Sequence, residues 1–206
     1  MKEISIEGKR LLIVPIIYGL IGEEKKIKEA FNKFTPDCIA IGIPPEDIEI
    51  VGNIKDGEFD LSLQHQYYLF HLSKYGKISL PPLDIKIAYE ISCKNNIPLH
   101  AIDIDDNEYA DILTKNVSIF SLIRHSRKVR KLLNKEFEAK NAEEFVREWN
   151  KEINSIGAFR RLEEMREQRM VENILSLSRR YKKILAIVPL EKYDGIMSKL
   201  ERYKKQ

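Results

Sequence analysis

The chain has 206 residues, 43% hydrophobic and 33% charged, with a net charge of +3. That is enough to bury one sizeable core without disulfides. The near-balance of charge excludes a blanket polyanion-binding protein, which concentrates far more positive charge. The Lys-, Glu-, Arg- and Ile-rich composition suits a thermophile.

In chain order, Leu11 to Ile17 is a continuous apolar run of the kind found in strands buried on both faces of a parallel sheet. Pro15, lacking a backbone donor, marks the strand's end or an irregularity. After a loop at Gly19 and Gly22, residues 23–34 are predicted helical, with Ile27, Ala30, Phe31 and Phe34 on one face. Thr35-Pro36-Asp37 ends that helix, and Cys38 to Ile41 is a second buried strand closed by Gly42-Ile43-Pro44-Pro45. Strand, helix and strand in this order form a βαβ unit. Ile48 to Asn53 reads as a short edge strand. Helices are expected over residues 61–75 and 83–95, and Leu99 to Ile104 is a third buried strand.

A helical insertion spans about residues 107–180, opened by an N-cap at Asp106-Asn107. Leu122, Val129, Leu132 and Leu133 form one apolar stripe, and Phe145, Val146, Trp149 and Ile153 another. Gly157 marks a turn, and residues 163–180 form the last long helix. Ile184 to Val188 is a fourth buried strand, and residues 194–203 close the chain as a helix. The fold expected is a single α/β domain over residues 1–206: a mostly parallel central sheet flanked by helices, with a long helical insertion before the last strand.

Parallel sheets place ligands at the carboxyl ends of their strands. Those ends present Tyr18, the turn from Gly42 to Asp47, Asp103 with Asp105 and Asp106, and Glu191 with Lys192. If the third strand persists, Asp103 and Asp105 point to the same side. Two close carboxylates could hold a hard cation or share a proton; the plainer reading is a helix cap and solvated neighbours. His65, His71, His100 and His125 lack metal-ligand spacing and read as solvated or packed side chains. Cys38 and Cys93 belong to no metal or disulfide pattern and read as buried free thiols. No phosphate-binding loop, dinucleotide fingerprint or serine-nucleophile elbow is present. Arg124, Arg127, Lys128, Arg130, Lys131 and Lys135 crowd one helix, most simply as a solvated face balanced by Glu136, Glu138, Glu143 and Glu144. No run approaches the ~20 apolar residues of a membrane span, and no signal peptide is visible. A cytoplasmic protein without a membrane partner is expected.

The order of landmarks resembles the TraB/PrgY/GumN family, which includes the Tiki proteases and is distantly similar to erythromycin esterase and ChaN. The first strand, the Pro36-Asp37 pair before the second, the segment Ala88 to Asp103, the helix bearing Met165-Arg166 and the stretch Ile184 to Leu200 with Gly195-Ile196 follow the family's layout. Family members are thought to hold metal through two His and a Glu. At those positions this chain has Tyr18, Lys192 and Gly42; Pro15 replaces a motif Gly, and Ile104 the Arg of an Asp-Arg pair. Glycine has no side chain and a protonated lysine is a poor ligand.

The resemblance therefore implies a TraB-like protein without metallohydrolase activity, a pseudoenzyme needing no metal or other cofactor. It would bind a small anionic ligand or a protein partner at the altered site through Tyr18, Asp105 and Glu191, with Asp103, Arg166 and Lys192 at the old catalytic positions. One alternative is an enzyme with a rebuilt site at the same strand ends, Asp103 serving as general base. Another is an interaction module whose basic helix over residues 124–135 meets RNA, DNA or acidic lipid; on the main reading nucleic acid is not an expected partner. A homodimer is left open.

Overall fold

The computed structural model describes residues 1–48 and 61–203. The expected edge strand at Ile48 to Asn53 lies, beyond Ile48, outside the described residues. Five strands, β1 (Lys2–Ile6), β2 (Lys9–Ile16), β3 (Cys38–Ile41), β4 (Leu99–Ala101) and β5 (Lys183–Pro189), form one sheet in the order β1-β2-β5-β3-β4. All pairs are parallel except β1 with β2. The architecture is therefore α/β with a mostly parallel sheet, as the sequence implies.

β1 is a strand that the sequence reading did not foresee. Its alternation of exposed and buried residues, with Ile4 and Ile6 inward, suits an edge strand with one solvated face. Glu7 and Gly8, both at positive φ, close the hairpin to β2. Pro15 lies inside β2, in register with Val188, rather than at its end. β1 reaches only as far as Ile13 along β2, so the missing donor falls where that edge has no partner strand among the described residues.

Alternation along the strands sends side chains to two cores. Leu11, Ile13, Cys38, Ala40, Ile184 and Ala186 pack on one face, beneath α7 (Gly157–Ser178) and α8 (Leu190–Tyr203). Leu12, Val14, Ile16, Ile39, Ile41, Leu185 and Ile187 pack on the other, beneath α1 (Glu23–Phe34) and α3 (Leu83–Asn95). A strand buried on both faces needs no polar positions, which is why β3 reads Cys-Ile-Ala-Ile and is buried throughout.

The remaining helices gather at the carboxyl end of the sheet. α2 (Leu63–Leu72), α5 (Ile119–Leu132) and α6 (Ala142–Ile153) form a third cluster around Phe145 and Trp149, seated on Ile17 and Leu190 where β2 and β5 end. His71 fastens it: Nε2 donates to the carbonyls of Leu132 (2.8 Å) and Leu133 (3.0 Å) at the end of α5. α4 (Asp106–Asn116) packs through Tyr109, Ile112 and Leu113 against the start of α7.

Several local expectations differ from the structure. β4 stops at Ala101, so Asp103 and Asp105 do not share a strand face. Asp105, not Asp106, caps α4, accepting the Glu108 N–H at 2.7 Å. α7 begins at Gly157, six residues earlier than predicted, and α8 at Leu190, four residues earlier. Leu122 is 40% exposed and leaves its stripe, whereas Val129 and Leu132 stay buried. Cys38 is buried, but Cys93 is exposed, because it lies on the outer side of α3.

Candidate functional site

The site grows out of the strand ends. β2 exits into Ile17, Tyr18 and Gly19, and two buried carboxylates hold that exit. Glu23, in the first turn of α1, accepts the Ile17 N–H (3.1 Å) and pairs with Lys26 (2.8 Å). Asp84, in the first turn of α3, accepts the Gly19 N–H (3.1 Å). Asp84 is 1% exposed, and its second oxygen is buried without a partner among the described residues. Burial pushes its carboxyl up to about 7, against the opposing pull of the Gly19 N–H. Tyr18 is thereby fixed at the rim with its hydroxyl buried and without a partner among the described residues. Burial, then the fields of Asp84, Glu191 and Asp103, raise the phenol well above its ordinary value.

β3 is followed by Gly42, whose N–H donates to the Ile187 carbonyl (2.8 Å). A Cβ there would stand 2.8 Å from Cδ of Pro189, so the close approach of β3 and β5 needs a residue without a side chain. β4 is followed by Ile102, whose carbonyl accepts from the Asn173 side chain (3.0 Å), and then by Asp103. β5 runs into α8, whose first turn carries Glu191 and Lys192.

Asp103, Arg166 and Lys192 are joined by a residue that the sequence reading passed over. Arg166 on α7 holds Asp103 with two donors, at 2.5 and 3.3 Å, and reaches Glu163 one turn back at 2.9 Å. Glu163 in turn accepts from Lys192. The result is an alternating chain of four charges: Asp103, Arg166, Glu163 and Lys192. Asp103 and Lys192 are each only 4% exposed. Burial alone would raise the Glu163 carboxyl, but Lys192 and Arg166 outweigh it and hold the group at about 2. Burial disfavours the Arg166 cation, and Glu163 and Asp103 more than restore it. The one sequence signal for Glu163 is its spacing of three from Arg166, which puts both on one face of α7.

Glu191 lies beside this chain. Burial raises its carboxyl, with Lys192 pulling the other way. Glu163, Glu191 and Lys192 line a cleft of about 920 Å³ that also takes in Lys151, Asn150 and Arg202. Two of its other cations are already neutralised, Lys128 by Glu152 and Lys199 by Glu167 (2.6 Å). Among the described residues, Lys151 and Arg202 have no carboxylate partner.

Of the sequence-predicted residues, Asp103, Arg166 and Lys192 thus belong to one network, with Glu191 adjoining it and Tyr18 on the same rim. Asp105 is used by the helix cap. Both oxygens of Asp103 are engaged, Oδ1 also accepting the Ile104 N–H at 2.9 Å. Among the described residues, no group of three or more His, Cys, Asp or Glu side chains is placed to hold a metal ion. His125 stacks on Phe159 at 3.7 Å, and His100 meets the Tyr181 hydroxyl at 3.2 Å.

The basic helix proves to be α5, with Lys135 just beyond it. Lys128 and Lys135 pair with Glu148 and Glu152 of α6, not with the carboxylates nearer in sequence. Arg124, Arg127, Arg130 and Lys131 face solvent.

No protein-family model matches the chain, and no curated protein matches it.

Proposed function

We propose that this chain is a TraB-like protein without metallohydrolase activity, and that its strand-end cleft binds a small anionic ligand. The observation that carries this reading is the setting of Lys192. It is an ammonium held almost out of water at the end of a central strand, at the wall of a cleft that also presents Lys151 and Arg202. A buried cation is costly unless it is paired; Glu163 supplies one partner, and an ammonium has three donors. A carboxylate or phosphate in the cleft would complete the set. The resemblance puts Lys192, Tyr18 and Gly42 where relatives have metal ligands, and none of these three is suited to that task.

Calorimetric titration with a panel of small carboxylates, inorganic phosphate and nucleotides tests the reading. Binding of one class is expected, weakened by Lys192→Met when both proteins are titrated well below the variant's own, lowered thermal transition. Stoichiometric zinc, manganese or cobalt in the purified protein, together with turnover of peptide or ester substrates, would defeat it.

A second reading, an enzyme with a rebuilt site, is favoured by one feature. Glu163 and Glu191 line the same cleft with their carboxyls displaced in opposite directions, the arrangement that separates a general base from a general acid. With Asp103 clamped by Arg166, acid–base work in that reading falls to Glu191. Slow hydrolysis lost in Glu191→Gln and kept in Asp105→Asn would favour the enzyme over the binding protein.

A further inference from the structure

The outer face of α5 is the other concentration of positive charge, and the cleft makes no use of it. α5 is capped by Ser118, whose hydroxyl accepts the Ser121 N–H (3.2 Å), and it buries Val129 and Leu132 against its neighbours. Residues three and four apart share a helix face. On the opposite side this spacing aligns Ile119, Ile123, Arg127 and Arg130, with Phe120, Arg124 and Lys131 alongside. Ile119 is 73% exposed, Phe120 80% and Ile123 44%. The first turn thus projects apolar side chains into solvent, and the next two turns present four cations. Among the described residues no carboxylate pairs with any of the four, although Lys128, turned inward on the same helix, does find Glu152.

Two chemistries therefore lie on one face, and the partner must satisfy both. A nucleic acid would neutralise the cations but leave Ile119 and Ile123 against phosphate and water. An acidic protein surface would need an apolar pocket set one turn from its carboxylates. An anionic bilayer supplies headgroup phosphates for the arginines and an acyl boundary for the apolar turn, at the depths an interfacial helix reaches. We infer that α5 is a peripheral docking surface for anionic phospholipid bilayers, entered by Ile119, Phe120 and Ile123 and held by Arg124, Arg127, Arg130 and Lys131. Among the described residues no helix is long and apolar enough to cross a membrane, so the contact lies on the bilayer surface.

The test is sedimentation of the whole chain with vesicles of phosphatidylcholine alone and of phosphatidylcholine mixed with phosphatidylglycerol. The protein pellets with the mixed vesicles at low salt and is released as salt rises; it stays in solution with the neutral ones. Arg127→Glu with Arg130→Glu lowers partition about a hundredfold, and Ile119→Ser with Phe120→Ser about tenfold. Circular dichroism and the thermal transition stay as in the parent chain, because all four side chains are exposed. In Phe120→Trp, emission above the Trp149 background shifts to the blue with the mixed vesicles and is quenched by brominated acyl chains. Failure of the parent chain to pellet with anionic vesicles at low salt overturns the proposal. So does partition unchanged by the Ile119 and Phe120 substitutions, which would mean charge adsorption alone. Binding to RNA, or self-association lost with those substitutions, in the absence of vesicle binding would assign the face to another partner and equally overturn it.

Discussion

The strand-end network and the outer face of α5 are both built from basic side chains, yet they stand in opposite physical situations. Arg166 and Lys192 are largely withdrawn from water and chained to Glu163 and Asp103. Arg124, Arg127, Arg130 and Lys131 lie in water without a carboxylate partner among the described residues. A buried charge is bound first to its neighbours, so its removal is felt in stability; an exposed, unpaired one is felt only when something docks. Composition alone does not distinguish the two.

The largest effect should come from breaking the buried chain. Arg166→Ala leaves Asp103 and Glu163 without their shared cation and should cost about 3–5 kcal/mol in urea unfolding. A loss below about 1 kcal/mol would mean that water has replaced the guanidinium and that the site is wetter than it looks.

Next comes Asp84, whose linkage with pH runs opposite to that of Glu163. Below about pH 4 the Asp84 carboxyl is protonated whether the chain is folded or not, and it contributes nothing. Between there and about 7, where the folded group titrates, only the unfolded chain ionises freely, so stability falls as pH rises. Asp84→Asn keeps an acceptor for Gly19. It should remove that slope and be more stable than the parent at pH 8 by roughly 4 kcal/mol, with no gain at pH 4. Glu163 acts the other way. Its contribution is present above its unfolded value near 4.5 and is lost as pH falls toward about 2. Thermal melts from pH 2 to pH 9 on the parent and the two variants, Asp84→Asn and Glu163→Gln, would separate the two slopes.

Gly42→Ala should cost about 1–3 kcal/mol, since the new methyl meets the Pro189 ring and neither strand can yield cheaply. Gly195→Ala should cost less. The obstacle there is the mobile end of Glu167, although moving it disturbs the Lys199 pair at 2.6 Å. Smallest of all, charge reversal at Arg127 and Arg130 should change stability by no more than about 0.5 kcal/mol. A larger shift would break the comparison, because it would show these arginines bonded in the folded protein.

Much of this architecture was legible in the sequence, for reasons the structure makes plain. The apolar runs of β2, β3 and β5 have no polar alternation because both faces of the sheet are covered, and the rim of Tyr18, Gly42, Asp103 and Lys192 follows from their parallel order. β1 was missed although Ile4, Ile6 and the Glu7-Gly8 turn carry a hairpin signal, because only two of its five residues are inward. The network escaped because its central member, Glu163, sits on a helix crowded with other carboxylates, and nothing local singles it out from Glu164 or Glu167. Asp84 and Glu23 escaped likewise: each looks like an ordinary acidic residue in a first helical turn, and only long-range packing buries it against the exit of β2.

The central claim is that Lys192 is a ligand-binding cation at the wall of the cleft. The most direct measurement is a lysine-selective NMR titration that follows its Nζ resonance, assigned by Lys192→Arg, as small carboxylates and phosphate are added. A saturable shift of that resonance by one class of anion, absent for Lys74, which lies just beyond α2 and does not line the cleft, is the predicted result. A Lys192 resonance that no anion moves, in a protein that retains a stoichiometric divalent metal, would contradict it.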